Sequence, residues 1–244
     1  MSKTYGLAIH TSSPDLGLAI NNFDGDSRCC TWNLGQNLSS QFHQYLAEFL
    51  LPQTWSDLAW LAVAKGPGGF TGTRIGVVAA RTLAQQLNIP LYAISSLAAF
   101  AWEHRDQTLN HQIIAVQMPA QRGQLFTAIY MITRENYDQE TRQKLNQLAI
   151  SITLSDPDSN NPTVIIDEDQ QFICLLPDQV MSPGAWELIL SQLAIADDQL
   201  LTITGGCGKS AKSLLELAYP QWQQGKRNEW LQALPFYGQH PVDH

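Results

Sequence analysis

"KGPGGFTGTRIGVVAARTLAQQL", residues 65–87, opens as a glycine loop and continues as a helix rich in small side chains. Four glycines, Gly66, Gly68, Gly69 and Gly72, fall within seven positions. A helix start leaves backbone N–H groups unpaired and partly positive, which suits an anion. Glycine lets the backbone come close to a ligand. The established fingerprints fail, however. G-x-G-x-x-G would require glycine at Thr71, and a Walker loop ending at Gly72 would need Lys where Thr73 stands. Two readings stay open: a generic phosphate loop, or a tight turn into a closely packed helix.

The helix carries the sharper pattern. Gly72, Gly76 and Ala80 recur at i, i+4 and i+8, beside Ala79 and Ala84. Glycine inside a helix costs up to about 1 kcal/mol, so two of them point to a close contact. A small-residue stripe lets another helix approach closely. That helix belongs either to another chain or to the same domain. Ala98, Ala99 and Ala101 in "SSLAAFA" offer a second small-residue surface.

Outward from this stretch, "YGLAI", "LGLAIN" and "SRCCTWN" read as three strands joined by turns at "SSPD" and "DGD". A helix follows, capped by Ser39 or Ser40, with Phe42, Leu46, Phe49 and Leu50 at helical spacing and Pro52 ending it. "LAWLAVAK" is a fully buried strand, "IPLYAIS" another, and "SSLAAFAWEH" a helix. A dinucleotide fold would open with strand then helix, so this meander excludes it. After His104, "HRDQTLNHQ" suits a linker. Strands "IIAVQM" and "QLFTAIYMIT" flank a turn at Gln121–Gly123; "VIID" and "LLTIT" are short strands. "GAWELILSQLAIA" and "SAKSLLELAYPQW" are helices, while "TRENYDQETRQKLNQ" and "SDPDSNNPT" read as exposed loops. The expected division is 1–104 and 105–244, with the C-terminal helix able to pack back on the first part.

The chain of 244 residues is 44% hydrophobic, enough for one large or two small domains. A net charge of −8 argues against strong independent binding to nucleic acid. Cys29, Cys30, Cys174 and Cys207 form no C-x-x-C and no zinc spacing, which suits free thiols in a reducing, cytoplasmic setting. No apolar run reaches membrane-spanning length, and the N-terminus lacks a secretory pattern.

Candidate chemistry is sparse. Thr11 and Ser12, in the turn after the first strand, offer hydroxyl and N–H donors for a phosphate, but the neighbouring side chain is His10 where a metal-holding carboxylate would be useful. His43 has Ala47 rather than histidine one turn on; His104, His111, His240 and His244 stand alone. "ITGGCGKSAKS", 203–213, resembles a Walker ending, but Ile203 occupies the place of its first glycine. It reads as a strand-to-helix turn with Ser210 as N-cap, and a Cys207 beside Lys209 at a helix start suits a lowered thiol pKa. No metal and no cofactor are expected.

"AIHTSS", the whole run "AVAKGPGGFTGTRIGVVAARTLAQQLNIPLYAISSLAAFA" and the tail "LLELAYPQWQQG…LPFY" together resemble the TsaB (YeaZ) family. The likeness is strong over 60–101, fair over 5–50 and weak after 105. It implies an α/β, actin-like and Hsp70-like (ASKHA) two-domain fold of βββαβα units. It also implies a non-catalytic partner in making threonylcarbamoyladenosine on tRNA, binding the catalytic TsaD subunit through helices of the first domain. TsaE, an ATPase, joins that complex; tRNA is met only indirectly, and the chain pairs with itself when TsaD is absent. The resemblance places the interface on Gly72, Arg74, Ile75, Gly76, Ala79, Ala80, Leu83, Ala98 and Ala101. Thr11, Ser12, Gly66, Gly68 and Gly69 become vestigial phosphate-type loops. The chain departs from the family at His10, which replaces an acid, at "PAQRGQLF", which keeps only Arg122 and Gly123 of the family string, and at "FYG" in the tail. Alternatives are an independent small-molecule kinase or ATPase, which needs carboxylates for Mg²⁺ at the first turn, and a metallopeptidase, which needs a histidine pair.

Overall fold

The computed structural model describes residues 4–105, 113–134, 164–167, 170–227 and 230–238. The chain divides into two compact units: Met1–Glu103 with Thr204–His244, and His104–Ile203.

In the first unit, β1 (Tyr5–His10), β2 (Asp15–Asn21) and β3 (Ser27–Asn33) form an antiparallel meander. The chain then runs through α1 (Leu38–Leu50), β4 (Leu58–Ala64), α2 (Phe70–Leu87), β5 (Leu91–Ile94) and α3 (Ser96–Glu103). β4 and β5 add in parallel, giving the order β3-β2-β1-β4-β5. This is a βββαβα unit extended by β5 and α3.

Alternation along the strands sorts their side chains onto two faces. Leu7, Ile9, Leu18, Leu61 and Val63 join Phe42 and Leu46 of α1 and Val77, Ala80 and Ala84 of α2 in one core. On the other face, Trp60 lies against Trp222 of the C-terminal helix Ala211–Gln223, with ring centroids 6.0 Å apart. Gly6 makes room for that Trp60 ring, since a Cβ there would overlap it.

The second unit repeats the order with changes. β6 (Ile113–Pro119) and β7 (Leu125–Arg134) pair antiparallel across the turn Gln121–Gly123. β8 (Val164–Asp167) pairs with β9 (Gln170–Met181), helix α4 (Pro183–Gln192) follows, and β10 (Leu200–Thr202) pairs in parallel with β6. The order is β10-β6-β7-β9-β8, the first sheet's plan with β8 added outside the third meander strand and, among the described residues, no counterpart of β5 beyond β10. Trp186 of α4 is buried and donates its indole N–H to Gln117 of β6 at 2.7 Å. The C-terminal helix, α5 (Ala211–Gln223), belongs to the first unit.

The periodicity located most of these elements. Two local readings change. Ser39 and Ser40 do not cap α1: a short 3-10 turn, Gly35–Asn37, leads into it, the N-cap residue is Asn37, and the Ser40 hydroxyl donates back to the Asn37 carbonyl. Strand β9 has no counterpart in the sequence reading. Its "LLPD" looks like a turn, but exposed Pro177 sits at a bulge where the pairing shifts between Thr127 and Ile129, a place where a strand tolerates proline. Of the loops expected over 133–147 and 155–163, Thr133 and Arg134 end strand β7 and the rest lies outside the described residues.

Arg28 of β3 ties α1 to the sheet. Its guanidinium donates to the carbonyls of Phe49 and Leu50, both at 2.9 Å, and to Gln53 Oε1 at 2.7 Å. A cation on the last carbonyls of a helix favours both the orphan acceptors and the dipole. Replacing Arg28 by Met keeps much of the apolar stem but strands those carbonyls, so urea unfolding should show a loss of about 2 kcal/mol. Ala80, with no exposed surface, offers a harsher test: Ala80→Arg should cost at least about 4 kcal/mol or prevent folding, through overpacking and an unpaired buried charge. A wild-type melting temperature for that variant would place the stripe at a surface instead.

Candidate functional site

The turn after β1, the glycine loop after β4 and the loop before α5 gather at the carboxyl ends of β1 and β4, the end where open α/β sheets hold ligands. Here they hold each other. The Gly69 amide donates to the Ser12 carbonyl at 2.7 Å, and the Thr11 hydroxyl donates to the Gly72 carbonyl at 2.8 Å. The Ser12 and Ser96 hydroxyls share a hydrogen bond at 2.6 Å. Thr11 and Ser12 are buried. A Cβ at Gly68 would overlap the Ser12 carbonyl, one at Gly72 the Thr11 carbonyl, and one at Gly76 the Thr11 hydroxyl. These glycines are therefore required by the chain's own backbone. Of the two readings of the loop, the tight turn into a closely packed helix is the one the geometry builds. Gly66 meets the tail: a Cβ there would sit 2.6 Å from the Phe236 carbonyl oxygen, and the Phe236 amide donates to Lys65 O at 2.7 Å.

Most of the residues expected at a partner interface pack within the first unit. Gly76, Ala80, Ala98 and Ala101 are buried within the first unit. Gly72, half-buried, faces Thr11 and Leu38. The stripe is spent on packing α2 against the end of β1, because that turn carries its hydroxyl and carbonyl straight into the helix. Ile75, Ala79 and Leu83 are half-buried against the core, and Arg74 is exposed. Arg74 instead meets the tail, with its guanidinium 4.2 Å from the Phe70 ring centre and its Nε donating to the Tyr237 hydroxyl at 2.8 Å.

The third loop closes over His10. Cys207 N–H donates to Ser13 Oγ at 3.1 Å, and Cys207 Sγ lies 3.6 Å from His10 Nε2. His10 is fully buried, and its Nδ1 has no hydrogen-bond partner. Burial lowers its pKa from 6.5 to about 4 and raises that of Cys207 to about 11. The pair is thus a neutral imidazole beside a thiol. The lowered thiol pKa expected beside Lys209 is reversed, because Cys207 is buried while Lys209 points to solvent. Ser210 precedes α5 without capping it through its side chain; its hydroxyl donates to Glu103 instead. None of the four cysteines is in a disulfide among the described residues. Among the described residues, no group of three His, Cys, Asp or Glu side chains gathers as a metal site, and no helix is long and apolar enough to cross a membrane. His111, His240 and His244 lie outside the described residues.

The His10 environment sets a pH dependence. The unfolded chain takes up a proton near pH 6.5 and the folded chain only near pH 4, so stability is full above about pH 6.5 and falls as pH drops through that window. The shift corresponds to a loss of about 3 kcal/mol below pH 4. Urea midpoints for wild type and His10→Gln from pH 7.5 to 4 should converge as the pH falls; parallel curves would overturn the assignment.

A family model described as "TsaD: tRNA N6-adenosine threonylcarbamoyltransferase" matches residues 35–226. The tRNA threonylcarbamoyladenosine biosynthesis protein TsaB of Bacillus subtilis (strain 168) is 39% identical over 129 residues, 51% of this chain and 54% of that protein. The protein of the same name from Buchnera aphidicola subsp. Schizaphis graminum is 37% identical over 78 residues, 32% of this chain and 37% of that protein. The chain thus spans about half or less of the length of these relatives. Among solved structures, YeaZ from Pseudomonas aeruginosa aligns with a TM-score of 0.62 at 20% identity, over 96% of this chain and 99% of that one. An uncharacterized protein with similarity to peptidase YEAZ from the same organism gives 0.63 at 19%, over 97% and 100%. At such identities the likeness is one of fold, and the two-sheet α/β architecture is actin-like. With most of its length matched by the threonylcarbamoyltransferase model, the chain belongs to that family, on its TsaB (YeaZ) side.

Proposed function

We propose that this chain is a non-catalytic partner in the formation of threonylcarbamoyladenosine on tRNA, binding and supporting a TsaD-type catalytic subunit. The observation that carries the non-catalytic part is the closure of the phosphate-type turns on each other. Ser12, Thr11, Gly69 and Gly72 spend their donors and acceptors on internal hydrogen bonds. An imidazole held neutral stands where metal chemistry would need a carboxylate. The names carried by the relatives supply the pathway. An independent kinase or ATPase is disfavoured by the same residues. TsaE and tRNA enter this reading only through the complex, at a cytoplasmic location, and self-association belongs to the chain without its partner.

The partner surface is the outer face of α2. Val78 and Thr82 are exposed on the side away from Gly76, Val77 and Ala80, with half-buried Ile75 and Ala79 completing an i, i+3, i+4, i+7 stripe. Val78 is 59% exposed on this small, weakly polar face, and Arg74 stands at its rim. Such a surface suits a second helix laid along it.

Val78→Glu separates this reading from a core role. Its melting temperature should stay near wild type, since surface changes are usually worth about 0.5 kcal/mol or less. Its affinity for the TsaD-type subunit of the same cell should fall at least tenfold, as a carboxylate is desolvated at the contact. Wild-type affinity would remove α2 from the interface. Threonylcarbamoyl transfer to tRNA by the purified chain without that subunit would overturn the non-catalytic reading.

A further inference from the structure

Strand β5 ends the first sheet, and among the described residues no strand pairs with its outer edge. Leu61 N donates to Pro90 O and Lys65 N to Ile94 O. In a parallel ladder this alternation turns Tyr92 and Ile94 toward β4 and directs the N–H and C=O of Leu91 and Ala93 off the sheet. Such an edge is a template for another strand.

Among the described residues, none pairs with the outward N–H and C=O groups of Leu91 and Ala93. The C-terminal segment returns past this edge with Ala233 buried in the core, then rises to the Phe236–Lys65 hydrogen bond. Between segment and strand lies a cavity of about 390 Å³, lined by Leu91 and Ala93 on one side, Gln232–Phe236 on the other, and Lys65. Lys65 is the only charged residue of that lining, and no carboxylate among the described residues pairs with it.

We propose that this cleft captures the carboxyl terminus of an extended peptide, which adds to β5 as a parallel strand and sets its terminal carboxylate on the Lys65 ammonium. The direction follows from the topology. β1, β4 and β5 run parallel, and Lys65 stands beside Ile94 at the carboxyl end of β5. A sixth strand in the same sense therefore brings its own carboxyl terminus to the lysine, whereas an antiparallel strand would bring its amino terminus. Main-chain bonds to Leu91 and Ala93 supply affinity with little demand on peptide sequence, and the lysine supplies the preference for a free terminus. The site lies on the strand edge, separate from the outer face of α2, so it stands or falls independently of the partner reading.

The test is fluorescence polarisation of the full chain with fluorescein-labelled Ser-Val-Thr-Val as the free acid and as the C-terminal amide. The free acid should bind at least tenfold more tightly than the amide. Lys65→Met should bring the two peptides to the same affinity. Ala93→Pro removes one outward N–H at an edge position where proline is tolerated, and should weaken both. Should that variant fail to fold, a peptide N-methylated at its second valine reads the same main-chain bonds on the unaltered protein and should bind at least tenfold more weakly. Equal binding of acid and amide, no binding of either, an N-methyl peptide as good as the parent, or displacement of the peptide by acetate or inorganic phosphate alone at equal concentration would each overturn the proposal.

Discussion

The first unit depends on one close approach: the turn Thr11–Ser12 driven against Gly68, Gly72 and Gly76. Backbone meets backbone at Gly68 and Gly72, and at Gly76 the helix meets the Thr11 hydroxyl. The contact fixes the start of α2 against the carboxyl end of β1 and closes the hydrogen bonds that the glycine loop and the hydroxyl turn would otherwise leave to water or a ligand. Glycine inside a helix sacrifices about 1 kcal/mol of propensity at each position. Here that loss is offset by buried Val77, Ala80 and Ala84 against the sheet, which larger residues along the stripe would hold at a distance.

Fixing one face of α2 leaves the other free. A helix of 18 residues with its small side chains turned inward presents Val78 and Thr82 outward, flanked by half-buried Ile75 and Ala79. The tail then brackets the helix. Trp230 lies near Arg81, and Phe236 and Tyr237 close over Lys65, Phe70 and Arg74. The Arg74 cation over the Phe70 and Tyr237 rings, themselves 4.7 Å apart, holds the tail where a salt bridge at the surface would add little. The glycine loop is thus covered from below by the first turn and from the side by the chain's end.

The His10–Cys207 pair shows how the same geometry sets electrostatics. Burial without a charged partner favours the uncharged form of both groups, one pKa falling and the other rising. A carboxylate at position 10 would be disfavoured by the same burial unless a cation were held beside it. Imidazole and thiol satisfy each other more modestly and leave Nδ1 unpaired.

By itself the sequence determined the elements and the family. Three strands before the first helix, the buried run Leu58–Ala64 and the small-residue helix follow from period, turn chemistry and propensity, all of which act over a few neighbouring residues. Family likeness also survives in one dimension, because the glycine string is contiguous. Only the tertiary structure decided which way the glycines face. A stripe of Gly72, Gly76 and Ala80 reads the same whether it meets a partner helix or the turn of β1, since spacing along a helix names a face and not its neighbour. The pairing of His10 with Cys207 joins residues 197 apart in sequence, and burial, which reversed the expected thiol shift, is a property of everything packed around them. Strand β9 escaped because Pro177 breaks its local pattern, and a bulge that accommodates proline exists only once β7 lies alongside.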